Sequence, residues 1–216
     1  MHSPLRAACA LAVVSALGGA ASADVLFNNF AANDEYDTER GWTMSYGGPL
    51  GGDVYEQAAP FTVTGGDYYF DSAEVAVLHN WGPDLIYFNL HADEGGVPGA
   101  ILDSTTASGV APPFELRPPM VADFGGDFVL KDGQTYWLAL RTEETDALVS
   151  WAFNIVDDFG LRAQQLNDGP WEAFKGDPGT DSERGVYRIN ATPVPAPAAL
   201  PLLALAGAWR LRRERA

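Results

Sequence analysis

The body of this chain contains no cysteine, so covalent chemistry would rest on hydroxyls, amines or carboxylates. The single cysteine, Cys9, lies in an N-terminal apolar stretch. Two histidines follow it, His79 in "VLHNW" and His91 in "NLHAD", each alone near the end of a strand-like run. A serine triad needs a histidine held between a nucleophile and an acid, and no G-x-S-x-G elbow is present. A plain surface or strand-end position is therefore the simpler reading of both histidines. A zinc site would need His or Cys clustered at short spacings, and the chain has none. No catalytic residue and no metal ligand is assigned on this basis.

Carboxylates are abundant: 29 Asp and Glu face 13 Lys and Arg, a net charge of −16. A glycosidase uses two of them across a cleft, about 5 Å or about 6.5–9.5 Å apart. Asp93-Glu94, Asp123 with Asp127, and Asp157-Asp158 instead fall in turn-like clusters, where Asx turns account for them first. The acidic field repels nucleic acid and anionic lipid, which excludes a nucleic-acid partner. A solvated acidic coat explains the rest without a cofactor. Calcium is the alternative, although "DFGGDFVLKD" lacks the acid spacing of a helix–loop–helix calcium site.

Aromatic side chains are the remaining candidates for contact. Trp137 and Trp151 sit inside apolar runs and read as core. Trp81 and Trp171 adjoin Gly-Pro pairs in "NWGPD" and "DGPWEAF". Those segments read as loops, where an exposed ring could stack on a sugar, so both are candidate glycan contacts.

Strands must position these groups. "APFTVTG", "AEVAVLHN", "DLIYFNLHADE", "DFVLKDG", "QTYWLALRTE", "LVSWAFNI" and "GVYRINAT" are rich in β-branched and aromatic residues and end in Gly, Asp, Asn or Pro. Ile86, Phe88 and Leu90 alternate with Tyr87, Asn89 and His91, the pattern of a half-buried antiparallel strand. Tyr136, Leu138 and Leu140 likewise oppose Trp137, Ala139 and Arg141. Only "FGLRAQQLND" approaches a helical period, and it is short. The pattern predicts an all-β fold, an antiparallel β-sandwich of jelly-roll type without internal repeats.

The two ends differ from this body. "MHSPLRAACALAVVSALGGAASA" places a cation before an apolar run that closes on Ala21-Ser22-Ala23, the order of a secretory signal cleaved after Ala23. The other end, "VPAPAALPLLALAGAWRLRRERA", carries an apolar run of about 14 residues, roughly 21 Å as a helix and short of a ~30 Å bilayer core. Arg210, Arg212, Arg213 and Arg215 follow it and would stop on the cytoplasmic side. Five of the 13 Lys and Arg, but only one acid, lie in these ends, so the body is more acidic than the whole. The expected plan is a signal helix over 1–23, one sandwich domain over 24–191, and a sorting segment with a short hydrophobic helix over 192–216.

The C-terminal order resembles the PEP-CTERM sorting signals of exopolysaccharide-producing Gram-negative bacteria, in the variant written Val-Pro-Leu-Pro-Ala. Here Val194, Pro195, Ala196, Pro197 and Ala198 stand in that motif, and the Glu between the prolines of the common form is replaced by Ala196. The resemblance implies an exosortase, a membrane cysteine protease-transferase, as processing partner. Segments of the body, among them "AAPFTVTGGDYYFDSAEVAV", "FNLHADEGGVPGAIL" and "LKDGQTYWLAL", resemble the choice-of-anchor R domain, a secreted module without a transferable activity. Together these imply an exported, non-enzymatic protein of the cell surface or matrix, held transiently in the inner membrane by its C-terminus and associated with exopolysaccharide. A secreted carbohydrate-active hydrolase using an Asp/Glu pair, and a purely structural matrix protein, are the alternatives.

Overall fold

A computed structural model describes residues 23–47, 52–109, 112, 115–144, 146–176 and 183–195. The strands among them are β1 (Asp24–Asn28), β2 (Gly41–Tyr46), β3 (Val54–Thr62), β4 (Tyr68–Val75), β5 (Val77–Trp81), β6 (Ile86–Asp93) and β7 (Pro98–Ala107). They continue as β8 (Met120–Asp123), β9 (Val129–Leu130), β10 (Thr135–Arg141), β11 (Ala147–Ala152), β12 (Leu161–Leu166), β13 (Trp171–Lys175) and β14 (Tyr187–Pro193). One antiparallel sheet runs β1-β14-β4-β8, with β9 on β4; the larger runs β5-β11-β2-β3-β10-β6-β7, with the β12–β13 hairpin joined to β3.

The two sheets share one apolar core. Phe70, Ala73 and Val75 of β4 and Tyr187, Ile189 and Ala191 of β14 pack with Phe61, Phe88, Leu90, Leu138, Leu140 and Trp151 of the larger sheet. This is the alternation of a two-layer fold, each strand sending every second side chain inward.

β6 and β10 depart from the half-buried expectation. From Tyr136 to Leu140 every residue is buried, as are Asn89 and His91. Ala58, Ala139 and Ala163 are small enough for a further layer to approach, and with Trp137 they form a second cluster that Leu161 and Trp171 cover. Trp171, at the start of β13, meets the His91 ring edge-on at 5.8 Å. The β12–β13 hairpin therefore lies over the outer face of the larger sheet, and polar groups there are sealed from bulk water.

A polar clamp joins the sheets. Tyr187 Oη donates to Pro60 O at 2.6 Å, and Arg184 Nη1 donates to the same carbonyl at 3.3 Å. Arg184 also holds Asp158, which accepts from Asn29 Nδ2, while Asn29 Oδ1 accepts from Tyr187 N–H. Nearby, a Cβ on Gly185 would stand 2.5 Å from the Trp151 ring. Gly185→Ala is therefore expected to destabilise by about 1–3 kcal/mol, through overpacking; urea unfolding midpoints measure it.

The flanking helices require correction. Among the described residues there is no α-helix, only a single 3-10 turn at Ala32–Asp34. No helix among them is long and apolar enough to cross a membrane. The described start of the expected sorting segment is sheet: Thr192 and Pro193 pair with Tyr69 and Tyr68 of β4, and Val194 N–H donates to Asp67 O at 2.9 Å. The C-terminal membrane anchor, the membrane and its exosortase as partners, and an anchored location at the inner membrane are not retained. Ala21, Ala196, Pro197, Ala198, Arg210, Arg212, Arg213 and Arg215 lie outside the described residues; Ala23 and Pro195 are described, outside any strand.

Candidate active site

β3 is crowded at its start. β2 pairs with it only through Ser45↔Tyr55 and Tyr46↔Val54, β10 reaches it as far as Leu140↔Gln57, and β12 takes positions 55 to 58. Where these strands converge and part, a cavity of about 340 Å³ opens. Tyr46 ends β2 in its wall, Val54 and Glu56 come from β3, Arg141 ends β10, Gln165 comes from β12, and Thr142, Glu143 and Asp168 from the loops that follow. The lining is almost wholly polar, unlike the apolar walls common to small-molecule pockets.

Glu56 dominates the electrostatics. Only 6 % of the residue is exposed, and burial pushes its carboxyl up to about 7. Arg141 and the Asn89 amide oppose that rise, whereas Asp168 and Glu143 add to it by like-charge repulsion. Arg141 is engaged elsewhere: it ion-pairs with Glu143 and lies over Tyr87, 5.9 Å from the ring centroid. The Asp168 carboxylate has no hydrogen bond or ion pair with another described residue. Its backbone has φ 53, a left-handed conformation that Asp tolerates better than most residues.

Behind the cavity the buried polar groups are incompletely partnered. His91 Nδ1 donates to Gly99 O at 2.7 Å, which leaves Nε2 as the acceptor of the neutral ring. Burial lowers the His91 pKa, the nearby Arg141 charge lowers it further, and the Gly99 hydrogen bond opposes both. His91 Nε2 and Arg141 Nε are buried without a hydrogen-bond partner among the described residues. Such groups cost free energy unless water or a ligand reaches them.

The residues singled out from sequence are scattered. Trp81 ends β5 and is 63 % exposed, while Trp171 is half-buried against the second cluster; neither lines the Glu56 cavity. They do not form an aromatic row. Asp93 accepts from Trp137 Nε1 at 2.8 Å, Asp123 closes a turn through Gly125 N–H, and Asp158 belongs to the Arg184 clamp. Turn and packing roles account for all three. His79 binds Gly82 O near the surface; His91 lies near the end of β6 but is buried, not at the surface. Among the described residues no three His, Cys, Asp or Glu are grouped to hold a metal ion, calcium included.

Glu56 escapes a reading for clustered acids, although a signal is present. In "VYEQAAPF" it shares a strand face with Ala58 and Pro60, a lone acid in an otherwise apolar row. Asp168 and Glu143 follow strand ends and give no signal of their own.

No protein-family model matches the chain, and no curated protein matches it. The sorting-signal, signal-peptide and choice-of-anchor resemblances accordingly gain no support from relatives. The site has to be read from its chemistry.

Proposed function

We propose that the protein is a hydrolase of glycans, with Glu56 as general acid and Asp168 as its partner carboxylate. The observation that carries this is the Glu56 carboxyl, buried in a polar cavity with its pKa raised to about 7. A raised acid beside a second carboxylate is the arrangement that glycosidic cleavage requires. The polar lining suits a hydroxyl-rich ligand, and the scattering of Trp81 and Trp171 weakens a purely stacking role for them. In the reaction Glu56 gives its proton to the leaving glycosidic oxygen as the C–O bond breaks. Asp168 takes a proton from the water whose oxygen forms the new bond to the anomeric carbon. One water is consumed and both carboxyl groups return to their starting states by proton exchange with solvent.

The test is release of reducing ends from a broad panel of neutral glycans between about pH 4 and 9, spanning the ordinary and the raised carboxyl range. Turnover is expected to fall above about pH 7, as Glu56 loses its proton. Asp168→Asn is expected to lower turnover about a hundredfold or more. It should also move the upper pH limb downward, because Asp168 helps to raise the Glu56 pKa. Absence of turnover across the panel would overturn the proposal.

A further inference from the structure

A second cavity, of about 560 Å³, has Trp42, Thr43, Gln57, Ser150 and Gln164 in its wall. Arg162 stands beside it, two residues before Gln164 on the same face of β12. The Arg162 guanidinium lies on the Trp42 ring, 3.2 Å from the centroid, and 4.7 Å from the centroid of Phe174. Cation–π contacts of this kind hold a guanidinium in place without neutralising it. Every other described arginine pairs with a carboxylate: Arg40, Arg117, Arg141, Arg184 and Arg188 all do. Arg162 has no such partner among the described residues, in a chain with 29 acids.

Its desolvation is substantial. Burial pushes the Arg162 pKa down to about 10, and Nε and Nη1 are buried with no hydrogen-bond partner among the described residues. Gln57 Oε1 is also buried and unpartnered, while Gln57 Nε2 donates to Thr43 O and Gln164 Oε1. A desolvated cation without a counter-charge among the described residues is unfavourable, and an anion would relieve it.

The geometry points to a ligand site at Arg162 and Trp42 for a planar organic carboxylate carried on a sugar ring, a uronate. A planar guanidinium matches a flat carboxylate. A tetrahedral oxyanion would want several converging donors, and the same wall carries Glu39 as well as Arg40, so it has no excess of positive charge to favour a dianion. Thr43, Ser150, Gln57 and Gln164 offer polar contacts for ring hydroxyls. This site is separate from the Glu56 cavity and does not depend on hydrolysis there: Glu56 alternates with Tyr55 and Gln57 along β3, so the two cavities use opposite faces of that strand.

The test is titration of the full chain with methyl glucuronide, methyl glucoside and inorganic phosphate, followed by calorimetry and tryptophan fluorescence. The glucuronide is expected to bind about tenfold or more tightly than the glucoside, the effect of one charge-assisted contact. Arg162→Gln is expected to remove that preference while melting at or above the wild-type temperature, since it deletes an unpaired, desolvated cation. If that variant does not fold, Arg162→Lys provides the same comparison, with a compact charge that cannot lie flat on Trp42. Glu56→Gln is expected to bind the glucuronide unchanged, so failure here and failure at the hydrolytic site are distinguishable. Equal binding of the two glycosides, no saturable glucuronide binding, preference for phosphate, or an unchanged preference in the folded Arg162 variant would overturn the assignment.

Discussion

Glu56→Gln is expected to abolish turnover and, in the same protein, to increase stability in alkaline solution. The amide cannot donate an acidic proton to a leaving oxygen, and loss of a general acid costs about 10²–10⁴-fold in rate. The stability change follows from the sign of the pKa shift. Glu56 is raised from 4.5 to about 7 in the folded protein. The folded state therefore holds its proton more tightly than the unfolded chain. That contribution is fully present below about pH 4.5 and is lost as pH rises through about 7. The substituted amide has no titrating proton, so the variant should gain on the wild type across this window by about 3 kcal/mol. Urea midpoints of both proteins, compared at about pH 4 and about pH 8, measure the difference. Parallel pH profiles would show that the Glu56 carboxyl holds its proton no more tightly in the folded protein than in the unfolded chain, which would overturn its role as a raised acid.

Trp151→Ala is expected to produce the largest loss of stability, about 3–5 kcal/mol, from the cavity left by a large buried ring. Trp151 is 1 % exposed, and its Nε1 donates to Val186 O at 2.8 Å. The ring meets Tyr187 edge-on at 5.8 Å, and Gly185 has no side chain so that the ring can fit against its backbone. Glycine cannot move in to fill the space. For a domain with ordinary total stability of about 5–15 kcal/mol, the loss would lower the melting temperature by roughly 10 °C or more. A shift under about 3 °C would show that the neighbouring strands collapse onto the void.

The strand content was legible where alternation was strong. "QTYWLALRTE" contains β10 and "GVYRINAT" contains most of β14, because β-branched and aromatic residues mark a pleated buried surface. β12 was not legible: Leu161 to Leu166 contains Ala and Gln, good helix formers, and its pairing with β3 on one side and β13 on the other makes it extended. That one misread strand conceals the outer layer. Without the hairpin, β6 and β10 read as half-buried, and the burial of His91 and Asn89 has no cause. The active-site candidates suffered similarly, since Glu56, Glu143 and Asp168 come together only through long-range pairing. The loop carboxylates that clustered in sequence proved to close turns and anchor side chains.

The order of the smaller sheet has a consequence for biosynthesis. β1 is the first described strand to leave the ribosome, yet its only neighbour among the described strands is β14, the last of them to be made, with Asp24 opposite Ala191. β4 waits on the same late arrival along one edge. Until translation has passed residue 193, both strands carry open backbone groups that invite pairing with other chains. The nascent polypeptide is thus exposed to intermolecular entanglement until β14 has emerged and paired. A chaperone that holds β1 apart would raise the yield of native protein more than one acting after β14 has paired.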